Sequence, residues 1–363
     1  MWGYQKRLAA DLSRWKANGW LTDEGEAQIA RELVSNRRNF GLAPALGVLA
    51  SVLLAFAVMS FVAAHWQDIA RGARLVILFA SMWTGYAVAG MFGARGQSGM
   101  SDAAILFAVA VFGASIALIS QMFHIDGHAP DGVALWAAGA LLSGVLLRSN
   151  AAVAFAMVLV AVWGALETFE RAAVFWPFLL GWAAVSAAFL WQRWRPGLHL
   201  SALAVSAFVI ALGYVLSDGH DHALVVALGL MAVVSGLAIE RFEPAWHVAV
   251  EPVVGYGLVT TFAGAMALQF GENPSGVALI VMASLTLLVL IGSIAYGMST
   301  RRPSAIWLGY LGFSIEILAL YAKTVGTILG TSLFFLVAGV LVAALAALAW
   351  RLAHRSAESE RRS

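Results

Sequence analysis

The sequence contains no cysteine among its 363 residues. This absence excludes disulfide bonds, cysteine-ligated zinc or iron–sulfur sites, thiol catalysis and a lipid anchor on cysteine. The sequence also lacks a Gly-rich phosphate loop, an HExxH zinc motif, a Ser–His–Asp set in a suitable context and a pair of catalytic carboxylates. We therefore expect no cofactor and assign no catalytic residue. A non-enzymatic function is favoured, although an enzyme stays open.

Charged residues are scarce. Lys and Arg number 22 and Asp and Glu number 20, so charged residues form 12% of the chain, about half the fraction of an ordinary soluble domain. Apolar residues form 61% of the chain, and the mean hydropathy is +0.83. These values exclude an ordinary cytosolic enzyme, a disordered chain and a nucleic-acid-binding protein. They predict a protein that lies in the lipid bilayer.

Twelve apolar runs have the length of membrane-spanning helices, since a bilayer core needs about 20 apolar residues per helix. The predicted fold is an all-α polytopic membrane protein. The fourth and fifth runs are short and could form one re-entrant or kinked pair. The runs are 43–64, 72–92, 102–123, 131–147, 151–166, 172–192, 198–216, 222–240, 248–270, 276–296, 304–322 and 331–350.

The basic residues alternate from side to side along these runs. With the N-terminus inside, 18 of the 22 Lys and Arg residues fall on the inner side and 4 on the outer side. Positive charge is retained on the cytoplasmic side of membranes. The alternation therefore predicts that both termini are cytoplasmic, which an even number of spans requires. It also explains the net charge of +2 without an anionic partner.

Three regions follow from this reading: a cytoplasmic segment 1–42, a transmembrane region 43–350 and a charged cytoplasmic tail 351–363. Segment 1–42 has two amphipathic stretches separated by Gly19 and reads as a helical hairpin. Thr22 or Asp23 would begin the second helix, and Asp23 with Glu26 fits a capping box. Because a hairpin buries little surface alone, we expect it to pack on the membrane region, on a second copy or on a partner protein.

A possible internal repeat relates two stretches six helices apart. Residues 130–135, which open the fourth run, resemble residues 274–279, which open the tenth. The preceding helices end alike, with Gln121 and Gln269 in corresponding places. A parallel 6+6 repeat would follow, as found in many transporters. Chance similarity within an Ala-, Val- and Leu-rich chain is the alternative.

Two predicted outer loops combine histidine with aspartate. Imidazole and carboxylate groups are ligands for transition metals and also respond to pH. A metal or proton site is therefore one interpretation. The other is ordinary turn chemistry on a side depleted of Lys and Arg. The residues are His124, Asp126, His128 and Asp131 in the first loop, and Asp218, His220, Asp221 and His222 in the second.

Polar side chains inside the predicted spans are costly and therefore informative. Glu316 lies thirteen residues into run 304–322, where we expect it to be protonated or paired with a buried donor, in a functional or a structural role. Glu251 lies near the inner end of its run. Gln121 and Gln269 lie near the outer interface, where they could form interhelical hydrogen bonds.

Two segments resemble a family of bacterial predicted membrane proteins, domain of unknown function 2157. One is the stretch LSRWKANGWLT over residues 12–22, with Ile29 after it. The other is GASIALISQMFHI over residues 113–125, where Phe123 precedes His124. The resemblance covers about the first 150 residues. It implies a multi-pass protein of the bacterial inner membrane, and it brings no activity, substrate or cofactor.

Three functions remain open. A secondary transporter or a proton- or cation-coupled protein is supported by the helix count, the possible repeat and Glu316. A sensor or assembly protein would use segment 1–42 to bind a partner. An intramembrane enzyme acting at the periplasmic face would use the His/Asp loops.

Overall fold

The structure is a computed structural model that describes residues 42–64, 69–124, 127–216, 222–243, 246–272, 274, 276–300 and 302–324, and most positions of 12–29. All regular elements in these ranges are helical, as predicted. They are α1 (Leu42–Ala64), α2 (Arg71–Ala94), α3 (Ser98–Phe123), α4 (Ala129–Leu146), α5 (Asn150–Arg171), α6 (Phe178–Trp191), α7 (Arg195–Val215), α8 (His222–Phe242), α9 (His247–Met266), a π-helical turn (Ala267–Gly271), α10 (Gly276–Ser299) and α11 (Pro303–Thr324).

Nine helices in the described residues are long and apolar enough to cross a membrane. Many of their apolar side chains are exposed, among them Leu180, Val277 and Trp307. Exposed apolar surface on this scale fits contact with lipid rather than with water. The protein is therefore a multi-pass membrane protein whose environment is the lipid bilayer.

Three of the twelve predicted runs are not among the nine. Run 43–64 corresponds to α1, a helix of 23 residues. Run 172–192 contains α6, which has only 14 residues and is about 21 Å long, shorter than a bilayer core. It starts late because Pro177 disfavours helical geometry in the residue before it. Run 331–350 lies outside the described residues. The two short runs 131–147 and 151–166 are separate helices, α4 and α5.

The chain divides into two compact units, Met1–Ala156 and Met157–Ser363, with the boundary inside α5. In the first unit α3 is the central helix and packs against α1, α2 and α4. In the second unit α9 is central and packs against α7, α8, α10 and α11. The predicted division into 1–42, 43–350 and 351–363 is a different partition and stays a prediction.

In the first unit, α3 and α4 pack closely because an aromatic ring of each helix contacts a glycine of the other. The Trp136 ring of α4 lies so close to Gly113 of α3 that an added Cβ would approach it to 2.1 Å, and Phe112 occupies the same relation to Gly139. The Trp136 indole also donates to the carbonyl of Val109 at 2.9 Å. Gly113 is the first residue of the family-like segment 113–125. The contact with Trp136 explains why a residue without a side chain is needed there.

In the second unit, glycines bring helix backbones close together. A Cβ on Gly229 of α8 would lie 2.6 Å from the backbone nitrogen of Thr261 on α9. On α11, a Cβ on Gly309 would lie 2.5 Å from the Ile294 side chain and 3.0 Å from the Leu290 carbonyl of α10. Small residues allow such close packing between membrane helices. The contacts of Gly309 hold α10 against α11, the helices that carry Thr286 and Glu316.

Three turns on the predicted inner side share one backbone motif. In each, a residue with positive φ follows the helix, and the next amide bonds to the carbonyl five residues earlier, which is a Schellman motif. Gly96 occupies the position after α2, with φ of 70°, whereas Arg148 and Arg193 occupy it after α4 and α6, with φ of 52° and 54°. Arginine is costly at a position that favours glycine.

Segment 1–42 is described within residues 12–29 and at Leu42, where α1 begins. A helical stretch ends at Gly19, whose φ is 71°, as predicted. The Thr22 hydroxyl accepts the amide of Gly25 at 3.2 Å and caps the following stretch. Lys16 and Glu26 form an ion pair at 2.8 Å between the two stretches. Binding of a partner or of a second copy through this segment stays a prediction.

Candidate functional site: a buried polar cluster in the second unit

Glu316 is fully buried in α11. Its side chain has 0% exposure, and its position is about 20 Å along the helix from Pro303. Neither carboxyl oxygen has a hydrogen-bond partner among the described residues. A carboxyl buried without a donor costs several kcal/mol in its ionised form. The structure thus buries the carboxyl that the sequence placed inside a span, and a functional role for it stays a prediction.

Gln269 is the polar neighbour that faces Glu316, and it is also fully buried. Its Nε2 donates to the Thr286 hydroxyl of α10 at 3.0 Å. Because that hydroxyl donates to the Met282 carbonyl at 2.9 Å, it can only accept from the amide. This fixes the orientation of the Gln269 side chain and leaves its Oε1 with no donor in the described part of the chain.

The π-helical turn places Gln269 in the interior. Ala267–Gly271 widens the end of α9, and such turns interrupt the regular backbone ladder. The Lys323 ammonium of α11 donates to the Gln269 carbonyl and lies 5.1 Å from the centre of the Phe270 ring. The turn is thus held from outside by a cation while the glutamine side chain points inward.

The cluster therefore collects oxygen acceptors without donors. The two carboxyl oxygens of Glu316 and the Oε1 of Gln269 are all buried and unsatisfied among the described residues. A proton on Glu316 would turn one of these acceptors into a donor. The arrangement is suited to holding a positive charge and has no feature of a catalytic acid–base pair.

A second polar cluster in the same unit is fully paired. Arg302, just before α11, donates to Glu240 of α8 at 2.5 Å and to the Tyr296 hydroxyl of α10 at 2.7 Å. Tyr296 donates to the other oxygen of Glu240 at 2.9 Å. This triad could not be predicted from the sequence, because its members come from three helix ends and no spacing links them.

Two further acids, Glu167, which is buried, and Asp102, which is partly buried, also have partners within their own units. Glu167 is 2% exposed and accepts from Arg171 at 2.6 Å. Asp102 accepts from the Ser149 hydroxyl at 2.6 Å. The four-residue spacing of Glu167 and Arg171 was a readable signal for one of these pairs, whereas Asp102 and Ser149 are distant in sequence.

The other intramembrane candidates are exposed. Glu251 is exposed and accepts from the Ser304 hydroxyl at 3.4 Å. Gln121 is exposed near the end of α3, whereas its proposed counterpart Gln269 is fully buried. The π turn follows α9, while α3 ends at His124 with φ of 51°. The two stretches thus differ where the repeat would match them, and the 6+6 repeat stays a prediction.

The His/Asp loops are described in part. His124, His128 and Asp131 are exposed, and His128 Nδ1 lies 3.7 Å from Asp131. We expected His222 to lie in an outer loop, but the structure places it in a helix. It begins α8 and is 4% exposed, and its ring lies 4.8 Å from that of Tyr214. Asp126, Asp218, His220 and Asp221 lie outside the described residues, so the metal or proton site stays a prediction.

Comparison with known proteins adds a family match for the first unit. Residues 13–153 match the family described as Predicted membrane protein (DUF2157). The resemblance drawn from the sequence is confirmed over the region that carried it. The match falls within Met1–Ala156, so the Glu316 cluster lies beyond it. No curated protein and no solved structure matches the chain.

Proposed function

We propose that the protein is a proton- or cation-coupled membrane transporter in which Glu316 carries the coupling charge. The observation that carries this proposal is the fully buried Glu316 carboxyl inside α11, with no donor among the described residues. Ionisable groups at membrane depth without a structural partner are typical of ion and proton pathways. Binding and release of a positive charge would switch the group between a stable and an unstable state.

Gln269 and Thr286 give this carboxyl a defined surrounding. Thr286 orients the amide through the Nε2 contact, so Gln269 Oε1 adds a third acceptor. The π turn that holds Gln269 is a local deviation from regular helix, and such deviations are frequent at functional sites. A positive ligand would satisfy oxygens from both α11 and the π turn, which couples its binding to the packing of these elements.

The proposal includes placement in a bacterial inner membrane with both termini in the cytoplasm. Arg148 and Arg193 support this orientation, since both occupy left-handed positions on the predicted inner side. Glycine would be locally more favourable at each position by about 1 kcal/mol. Retention of positive charge on the cytoplasmic side would favour arginine at both positions despite this cost.

The test uses purified full-length protein in liposomes that contain a pH-sensitive dye. An imposed sodium, potassium or proton gradient should produce a change of internal pH that depends on the protein. Glu316→Gln should abolish this change while leaving the gel-filtration profile and helical content intact. The change should also weaken with Gln269→Leu, which removes Oε1.

Glu251→Gln is the matched control, because Glu251 is a glutamate of a neighbouring span that is exposed. It should retain the full response. The proposal is overturned if wild-type protein gives no ion or proton flux under any of the three gradients. It is equally overturned if Glu316→Gln transports like wild type.

A further inference from the structure

An apolar groove in the second unit opens beside two arginines. The groove has a volume of about 370 Å³ and lies between α6, α7, α8 and α9. This volume is within the range of small-molecule sites in proteins. We call it the α7–α9 groove. It is separate from the Glu316 cluster, whose residues do not line it.

The groove follows one face of α7. Its lining residues on this helix recur every three or four positions, which keeps them on one face. They include Leu198, Ala202, Val205 and Val209. Arg195 lies three residues before Leu198 and continues the same face by one turn. Arg193 lies in the turn that joins α6, from which Leu190 lines the groove, to α7.

The two arginines at this end of the groove have no counter-charge among the described residues. Arg193 and Arg195 are exposed, and neither has a carboxylate within ion-pair distance in the described part of the chain. Arg241 in the last turn of α8 and Glu243 just after the helix have charges that cancel. Trp246 lines the same end and is 54% exposed. The opening therefore combines two positive charges, an interfacial indole and an apolar channel.

Both arginines occupy positions that are locally unfavourable. Arg193 is in the left-handed region with φ of 54°. Arg195 is the first residue of α7, where the positive end of the helix dipole opposes a cation. An anion bound at this point would compensate for both effects, since it would neutralise the cations and meet the helix N-terminus favourably.

We propose that the α7–α9 groove binds an anionic phospholipid. Its phosphate would lie on Arg193 and Arg195, one acyl chain would lie along Leu198, Ala202 and Val205, and the Trp246 ring would lie at headgroup level. Basic pockets between membrane helices are the usual sites for acidic headgroups, and indole rings favour the interface. The proposal holds whichever side of the membrane this end faces, and it does not depend on transport.

The test is native mass spectrometry of the full-length protein in detergent with added phosphatidylglycerol or phosphatidylcholine. Each arginine near an anionic lipid should contribute about fivefold in affinity. We therefore expect phosphatidylglycerol to bind about 25-fold more tightly than phosphatidylcholine to the wild type, and about equally in Arg193→Gln/Arg195→Gln. Val205→Phe, which fills the groove, should weaken both lipids while leaving the preference for the acidic one.

The matched control is Arg95→Gln/Arg148→Gln, which removes the same charge from predicted inner turns of the first unit. Arg148 has the same left-handed backbone as Arg193, so the control also matches local strain. It should keep the preference. The proposal fails if the wild type shows no preference, or if the control loses as much as the groove variant. It also fails if glycerol phosphate, the headgroup without chains, displaces the lipid at equal concentration.

Discussion

The second unit contains two polar clusters on α10 and α11 that differ in pairing. At one end, Glu240, Tyr296 and Arg302 satisfy one another through three short contacts. Further along the same helices, Glu316 has no donor among the described residues, although it is more deeply buried. Paired polar groups lock helices together, whereas an unpaired carboxyl is retained at the expense of stability. The difference separates a structural cluster from a candidate functional one.

The largest effect is expected from breaking the paired cluster. Glu240→Gln removes the carboxylate from Arg302, whose side chain is only 15% exposed. The buried guanidinium then lacks its counter-charge, and we expect a loss of about 2–3 kcal/mol in unfolding free energy. Unfolding in mixed micelles with increasing SDS measures it. Glu243→Gln, at an exposed glutamate of the same region, should change stability by less than about 0.5 kcal/mol.

A double-mutant cycle checks the cause. Arg302→Gln alone should also destabilise, and Glu240→Gln/Arg302→Gln should lose less than the sum of the single variants. Additive losses would show that the triad does not act as a unit. The contrast between paired and unpaired clusters would then lose its basis.

The next largest effect is expected from disrupting the close packing of α10 against α11. Gly309→Ala places a methyl group 2.5 Å from Ile294 and 3.0 Å from the Leu290 carbonyl. Because one of these neighbours is backbone, α10 and α11 must separate, and we expect a loss of about 2 kcal/mol. Gly292→Ala on α10 has nothing within 4 Å of the new methyl and is the matched control. Equal SDS midpoints for the two variants would contradict the close approach.

A change of opposite sign is expected at the unpaired cluster. Glu316→Met removes a buried carboxyl that has no donor in the described residues and keeps the side-chain length. We expect a gain of about 1–2 kcal/mol in the same unfolding measurement, together with loss of any coupled flux. Glu167→Met, at a buried carboxyl that accepts from Arg171, should instead destabilise. A loss of stability in Glu316→Met would assign Glu316 a structural partner.

The fold class and the burial of Glu316 could be predicted from the sequence, for one physical reason. Apolar runs and isolated charges are local properties, and lipid penalises every exception to them. The all-α class, the termination at Gly19 and the burial of Glu316 therefore followed from residues read in order. The predicted span 172–192 was longer than α6. Residues 172–176 are largely apolar, so hydropathy does not show that the helix begins only after Pro177.

The pairings could not be predicted in the same way. Gln121 and Gln269 look equivalent in sequence, yet one is exposed and the other is fully buried. A π turn decides this difference, and no residue pattern in the chain marks it. The triad of Glu240, Tyr296 and Arg302 likewise depends on which helix ends meet. Such contacts depend on tertiary packing, which hydropathy does not encode.

The smallest effect is expected at the cation that holds the π turn. Lys323→Met keeps the apolar stem but loses the bond to the Gln269 carbonyl and the contact with the Phe270 ring. We expect a loss of about 0.5–1 kcal/mol, because the site is partly exposed. Lys323→Arg keeps the charge and should recover most of the loss in the same SDS titration. If Lys323→Met loses no stability, the ammonium does not support the turn, and the inward orientation of Gln269 must then come from its bond to Thr286 alone.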